Sequence, residues 1–221
     1  STININSPIA VSDDISIYSG ELTVNNNITS NNSGSDVLFN SSNITLNAPI
    51  TSSGTSTVTI NSSGNVIDGI NGSFVGKIIS TNLLLTGNGN FNLDSTTNNV
   101  SIISAGSNAS RLGSLNFTNS NALVVGSVGS NSGIYTTGTI AISTLTGDLS
   151  VSQNINTQNT STTALILNAS QSTAAGVSSG GDLKFSGGAS ITIGANARAK
   201  LYSGSISGST GLTLSLIHIW R

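Results

Sequence analysis

Apolar residues along this chain fall in short alternating runs, and four of the runs share one spacing, an offset of two followed by an offset of four: Ile3, Ile5 and Ile9; Leu22, Val24 and Ile28; Ile44, Leu46 and Ile50; Leu149, Val151 and Ile155. An offset of two is a strand placing both side chains on one face. The offset of four crosses a bend, occupied by Asn26 with Asn27, Ala48 with Pro49, or Gln153 with Asn154. A flat strand has no use for such a bend, whereas a coil that turns a corner does. The stretches GELTVNNNIT from Gly20 and GDLSVSQNIN from Gly147 repeat this arrangement almost residue for residue.

The first three copies begin at Ile3, Leu22 and Ile44, 19 and 22 residues apart, and a period near 20 is a solenoid signature. Looser pairs continue the rhythm at Val58 with Ile60, Leu83 with Leu85, Val100 with Ile102, Leu115 with Phe117, Ile140 with Ile142, Leu165 with Leu167 and Leu183 with Phe185. The frame Gly-acid-Leu recurs at Gly20, Gly147 and Gly181, with Glu21, Asp148 and Asp182 as its acids. The pattern predicts an all-β fold, a parallel β-helix with rungs of about 20 residues, about ten or eleven rungs, and a rod on the order of 50 Å long. Near the C-terminus Ile191, Ile193, Ala195, Ala197, Ala199 and Leu201 alternate with polar residues, predicting a half-buried strand pair bent near Gly194. A β-sandwich is the alternative fold, kept open by the hairpin signals Asp68-Gly69 and Asn71-Gly72. No shift of composition marks a linker, so residues 1–213 read as one repeat region, an internal piece of a larger protein.

Composition sharpens this reading. Only 6% of the 221 residues are charged, the formal net charge is -2 and 36% are hydrophobic, a combination unlike that of disordered chains. Ser, Thr and Asn make up roughly two-fifths of the sequence, and these residues favour turns and caps over helix interiors. The six Lys and Arg are dispersed, so no basic stripe exists to neutralise a phosphate backbone, and nucleic acid is not an expected partner. There is no Cys, which excludes disulfides and thiolate chemistry. No apolar run approaches the roughly 20 residues of a membrane-spanning helix.

Candidate chemistry is sparse. The single His, His218, lies in the terminal LSLIHIWR, which leaves Ser-His-Asp catalysis and zinc without support. The one adjacent acidic pair, Asp13-Asp14, points to opposite faces of an extended chain and reads as a solvated turn. Stacked rungs can nevertheless align carboxylates distant in sequence, so Asp68 with Lys77 and Asp182 with Lys184 are candidates for acid and base in an enzyme. GGDLKFSGG lacks the repeated Gly-Gly-x-Gly-x-Asp spacing of calcium β-rolls, and GNGN at Gly87 is followed by no Lys-Ser or Lys-Thr of a phosphate loop. No cofactor, metal or catalytic residue is assigned. Tyr18, Tyr135 and Tyr202 are isolated, unlike the aromatic platforms of carbohydrate-binding modules.

The runs SNITLNAPIT, GTIAISTLTGDLSVSQNINT and ALILNASQSTAAGVSSGGDLKFSGGASITIGANARAKLYSGSISGSTGLT resemble the filamentous haemagglutinin-like exoproteins, repetitive adhesins that Gram-negative bacteria export by two-partner secretion. The resemblance implies a right-handed β-helical shaft, secretion to the cell surface with an outer-membrane partner, and a non-catalytic role in adhesion through host-cell or matrix glycans or proteins. It supplies no ligand-binding residue. A β-helical polysaccharide lyase or hydrolase is the alternative function. Residues 214–221 depart from the repeat style, and Leu-Ser-Leu-Ile-His-Ile can be written in codons that resemble a transposon end used in sequencing libraries, so this tail is expected to be adapter-derived.

Overall fold

The computed structural model describes residues 1–72, 74–172, 181–205, 207–211 and 218–219. Among them every regular element is a strand, and the strands coil into a parallel β-solenoid. One turn of the first rung contains the strands Thr2–Ile5 and Ile9–Val11 and the start of Ile15–Val24. The last bends near Gly20 into the next rung, where Leu22 takes the place above Ile3. Alternation along each strand sends one side chain inward and the next to solvent; the burial of Thr57–Ser62 follows that period of two, and that of Val37–Leu46 does so on either side of a break between Ser41 and Ile44.

The rungs stack in strict register. Ile3, Leu22, Ile44, Val66, Phe91, Leu115, Ile140, Leu165 and Ala199 form one inward column, each paired in parallel with the next. A second column runs through Ile9, Ile28, Ile50 and Ile78. A third runs through Ile15, Val37, Val58, Leu83, Ile103, Val125, Val151 and Phe185. Beside it stands a fourth, through Ile17, Phe39, Ile60, Leu85, Ala105, Ile134, Ile155 and Ile191. Most of these side chains are fully buried in one continuous core.

Three details depart from the sequence reading. Partners in the first column are 19 residues apart at the start of the chain, then 22, then 24 or 25, and 34 at the last step, so its nine stacked positions replace the ten or eleven of a strict 20-residue period. At roughly 4.8 Å per step the column is roughly 40 Å tall. The second departure concerns the echo. Leu149, Val151 and Ile155 form the expected strand, bend and strand, but Leu149 stacks between Leu123 and Leu183 and Val151 lies in the third column, away from Leu22 and Val24. The same local sequence turns a different corner, because the offset of two then four specifies a corner and not which one. Third, residues 191–201 serve two faces. Ile191 stacks on Ile155 and Leu201 on Leu167, joined through a turn in which Asn196 has φ +61° and the Ala197 N–H donates to the Gly194 carbonyl.

The extra residues of the longer rungs leave the columns intact by leaving the coil at corners. Ile70–Asn71 pairs antiparallel with Phe74–Val75, and Ser127–Val128 with Asn131–Ser132, as two hairpins whose turns contain Gly72 and Gly129, both at φ +59°. Asn71-Gly72 is thus a genuine hairpin turn, inserted in a solenoid instead of a sandwich. Of residues 214–221, only His218 and Ile219 are described, and their backbone pairs with Lys200 and Leu201. Residues 173–180, within one of the family-like runs, lie outside the described residues.

The columns predict how substitutions divide. Phe117, fully buried at the inward position paired with Leu93 and Ile142, should lose about 3–5 kcal/mol on Phe117→Ala. Ile67, 42% exposed on an outward position, should shift stability by less than about 0.5 kcal/mol on Ile67→Thr. Urea unfolding midpoints of the two variants measure the contrast.

Candidate functional site: acids and amides at the corners

A strand interior pairs its backbone with the rung below and the rung above, but at a corner the chain swings out of reach and N–H groups lose that partner. Here the residue immediately before an inward apolar position repeatedly supplies an oxygen. Asp14 Oδ1 accepts from the Asp36 N–H at 2.8 Å, and Asp36 Oδ1 accepts from the Thr57 N–H at 2.8 Å. Asn43 Oδ1 accepts from Asn65 N–H, Asp148 Oδ1 from Asp182 N–H and Asn154 Oδ1 from Ser190 N–H, at 2.7–3.0 Å. Each acceptor precedes Ile15, Val37, Ile44, Leu149 or Ile155, and each donor belongs to the residue stacked on it one rung later. The acids are therefore placed by the coil's register.

Two buried asparagines do the same work inside the coil. Asn98, fully buried, accepts the Ile78 N–H at 2.7 Å and donates through Nδ2 to the carbonyls of Leu93 and Thr118. Asn119, also fully buried, accepts the Val100 N–H at 2.9 Å and donates to the Val100, Asn121 and Ala122 carbonyls. The amide takes both roles of a peptide group, so it replaces a backbone partner without adding charge.

Asn27 is the instructive exception. Its Oδ1 is buried with no hydrogen-bond partner, although Asn27 occupies the same position before an inward residue, Ile28. Because Ile28 stacks under Ile50, the residue above Asn27 is Pro49, and proline has no N–H to give.

The sequence-nominated acids are distributed accordingly. Asp13 Oδ1 accepts the N–H of Asp14, the arrangement of a turn. Asp68 occupies an inward register position, paired with Leu46, and Lys77, on the far side of the hairpin, pairs with Pro49. Asp68 instead faces Asp94, and its Oδ2 accepts from the Ser95 N–H at 2.8 Å and from Asn98 Nδ2 at 3.5 Å. Burial, reinforced by the Asp94 carboxylate, pushes the Asp68 carboxyl up to about 6. Lys184 reaches past Asp182 to Asp148, one rung away, at 2.5 Å, the one ion pair among the described residues. Burial raises the Asp148 carboxyl, but the Lys184 ammonium and the Asp182 N–H outweigh it and hold it below the usual carboxylate range. Asp182 is buried and accepts from the N–H and hydroxyl of Ser205. No group of three or more His, Cys, Asp or Glu gathers among the described residues. Gly87 to Asn90 form a corner whose N–H groups bond the Ser62 and Gly64 carbonyls.

Arg111 was not singled out by sequence. It lies 5.6 Å from the Tyr135 ring centroid, donates through one nitrogen to the Thr136 carbonyl and to Asn156 Oδ1, and through the other to Asn108 Oδ1. These contacts strap the loop before Leu112 across two later rungs. No spacing rule signals such a clamp, because its partners are 24 and 45 residues away in sequence.

No family model matches the chain, and no curated protein or solved structure shows significant similarity to it.

Asp68 and Asn27 give two tests. A carboxyl whose folded pKa is raised from 3.8 to about 6 stabilises the fold fully below pH ~3.8 and loses that contribution as pH rises through 6. Asp68→Asn keeps an oxygen for Ser95 and removes the charge, so it should raise stability at pH 7.5, with the gap closing toward pH 4. Denaturant midpoints across that range read this directly. Pro49→Ala restores an N–H above Asn27 Oδ1; the new bond, about 1 kcal/mol, should offset the greater freedom of the unfolded chain. Amide exchange should show a protected proton at position 49.

Proposed function

We propose that this chain is a segment of the shaft of a large secreted bacterial surface protein of the filamentous haemagglutinin-like kind, a non-catalytic spacer that holds adhesive parts away from the cell. The observation that carries the reading is the unbroken register of the first column from Ile3 to Ala199. Continuous backbone pairing and a continuous core make such a coil stiff along its axis. The exterior fits the role, since its acids serve chiefly as acceptors for the next rung. The outer-membrane secretion partner, surface localisation and contact with host-cell or matrix glycans or proteins belong to this same reading.

One observation favours a second reading, a β-helical enzyme acting on polysaccharide. Burial beside the Asp94 carboxylate pushes the Asp68 carboxyl up to about 6, toward the range of a general acid.

A paired assay separates the two. The chain is incubated with a panel of neutral and uronate-containing polysaccharides while new reducing ends and unsaturated sugars are measured, and beads coated with it are tested for attachment to epithelial cells and matrix proteins. The shaft reading expects no product with any polysaccharide, and attachment unchanged by Asp68→Asn. Sugar release abolished by Asp68→Asn would overturn it in favour of the enzyme.

A further inference from the structure

Asparagine is a chemically labile residue, because the backbone nitrogen that follows it can close on its side-chain carbonyl carbon and form a succinimide ring; a protonated aspartate reacts in the same way. Glycine in the following position makes the closure easiest, since no Cβ hinders the approach. Asp68-Gly69, Asn71-Gly72 and Asn88-Gly89 are dipeptides of this kind. The coil restrains the first and the last. The Gly69 N–H donates to the Leu46 carbonyl at 2.7 Å and the Gly89 N–H to the Ser62 carbonyl at 3.0 Å, each on the preceding rung. Space is short at both places: a methyl group added at Gly69 would collide with Asn47 Oδ1, and one at Gly89 with the Gly64 carbonyl oxygen. A nitrogen so tied and so crowded swings toward a side chain only when its rung opens. Asn88 is itself exposed, so its protection comes from the backbone and not from exclusion of water.

Gly72 is placed differently. It lies at the turn of the hairpin that joins Ile70–Asn71 to Phe74–Val75, outside the inward columns. It is exposed, with φ +59° and no atom within 4 Å of the place a Cβ would occupy. The hairpin is tied at its base, where the Gly76 N–H donates to the Gly69 carbonyl at 2.7 Å. A two-stranded hairpin this short is marginal by itself, so its turn opens without any opening of the coil.

We propose that Asn71 is a site of spontaneous deamidation, a modification that the coil confines to this hairpin. The Gly72 nitrogen, its proton lost to solvent base, bonds to Asn71 Cγ. The bond from Cγ to Nδ2 breaks, and that nitrogen takes up a proton and leaves as ammonia. Water then opens the succinimide at either carbonyl, giving aspartate or isoaspartate; water is consumed, ammonia is released, and nothing is oxidised or reduced. Both products add a carboxylate to the hairpin, and isoaspartate also adds a methylene to its backbone. The inward columns and the closure of Gly69 with Gly76 lie outside the reacting dipeptide, so the coil stays folded. The inference does not depend on the shaft reading, since it rests on the backbone around three glycines.

The test is storage of the 221-residue chain at mildly alkaline pH, native and in urea, followed by peptide mapping with mass spectrometry and by enzymatic methylation of isoaspartate. In urea the two Asn-Gly sites should convert at similar rates, because the dipeptide is the same. In the native chain Asn88 should fall behind Asn71 by about tenfold or more, a factor set by the free energy of opening its corner. Isoaspartate should appear at position 71, and Asn71→Gln should remove that signal, since glutamine must close a larger ring. The urea midpoint of the aged chain should match that of the fresh one. Asn71 intact in the native chain while it converts in urea, native conversion at Asn88 or Asp68 as fast as at Asn71, or a midpoint that falls in step with conversion would each overturn the proposal.

Discussion

A coil of parallel strands holds only if the chain returns in register, so that each backbone N–H meets a carbonyl of the neighbouring rung. Everything else in this structure follows from meeting that condition at the corners. Along the faces, alternation and stacking satisfy it, because Ile, Leu and Val sit above one another while the backbone pairs between them. At the corners the backbone diverges, and unpaired N–H groups there cost about as much as lost hydrogen bonds. Short side chains that carry an oxygen fill those places. An amide at Asn43 or a carboxylate at Asp14 extends the ladder one residue beyond the strand.

This accounts for the unusual composition. Serines and threonines that turn inward at corners donate to carbonyls close by in the chain: Ser41 to Asn43, Ser80 to Asn82, Thr136 to Gly138 and Ser203 to Ser205. Asparagines stack on the outside, where an amide can donate to the rung on one side and accept from the other. Asn6, Asn25 and Asn47 form one such series, and Glu21, Asn43, Asn65, Asn90 and Ser114 form another. Stacked carboxylates have no donor and repel at rung spacing. Where they do stack, something compensates: a crossing ammonium from Lys184 for Asp148, N–H donors for Asp14 and Asp36, and for Asp68 opposite Asp94 the Ser95 N–H together with a raised affinity for a proton. A coil of this kind can be rich in Asn, Ser and Thr and poor in Asp and Glu for that reason, independently of what it binds.

The columns were legible because apolar spacing reports directly on which side chains face inward. Ile3, Leu22 and Ile44 are aligned by sequence and by register alike. The identity of each corner was not legible. GDLSVSQNIN and GELTVNNNIT encode the same bend, and only the count of faces along the coil assigns Leu149 to its own column. Acid partners failed for a related reason. Sequence proximity paired Asp182 with Lys184 and Asp68 with Lys77, whereas the coil brings together residues one rung apart, 36 residues in the case of Lys184 and Asp148. The signal that would have found the corner ladder was present: an Asx residue directly before an inward apolar one, as at Asp14-Ile15, Asp36-Val37, Asn43-Ile44, Asp148-Leu149 and Asn154-Ile155.

The corners are also where this fold can change without losing itself. The two hairpins and the loop strapped by Arg111 add residues between strands while Phe39, Ile60, Leu85, Ala105 and Ile134 keep their vertical order. An insertion within a strand would flip every later side chain of that face, but one at a corner only needs its ends to meet, as the Gly76 N–H meets the Gly69 carbonyl and the Gly133 N–H meets the Gly126 carbonyl. Each insertion closes its own backbone pairs before the chain rejoins the coil, so the columns transmit no strain from it. Variation in rung length is thus confined to corners, and the stiffness of the coil is set by residues that such variation does not touch.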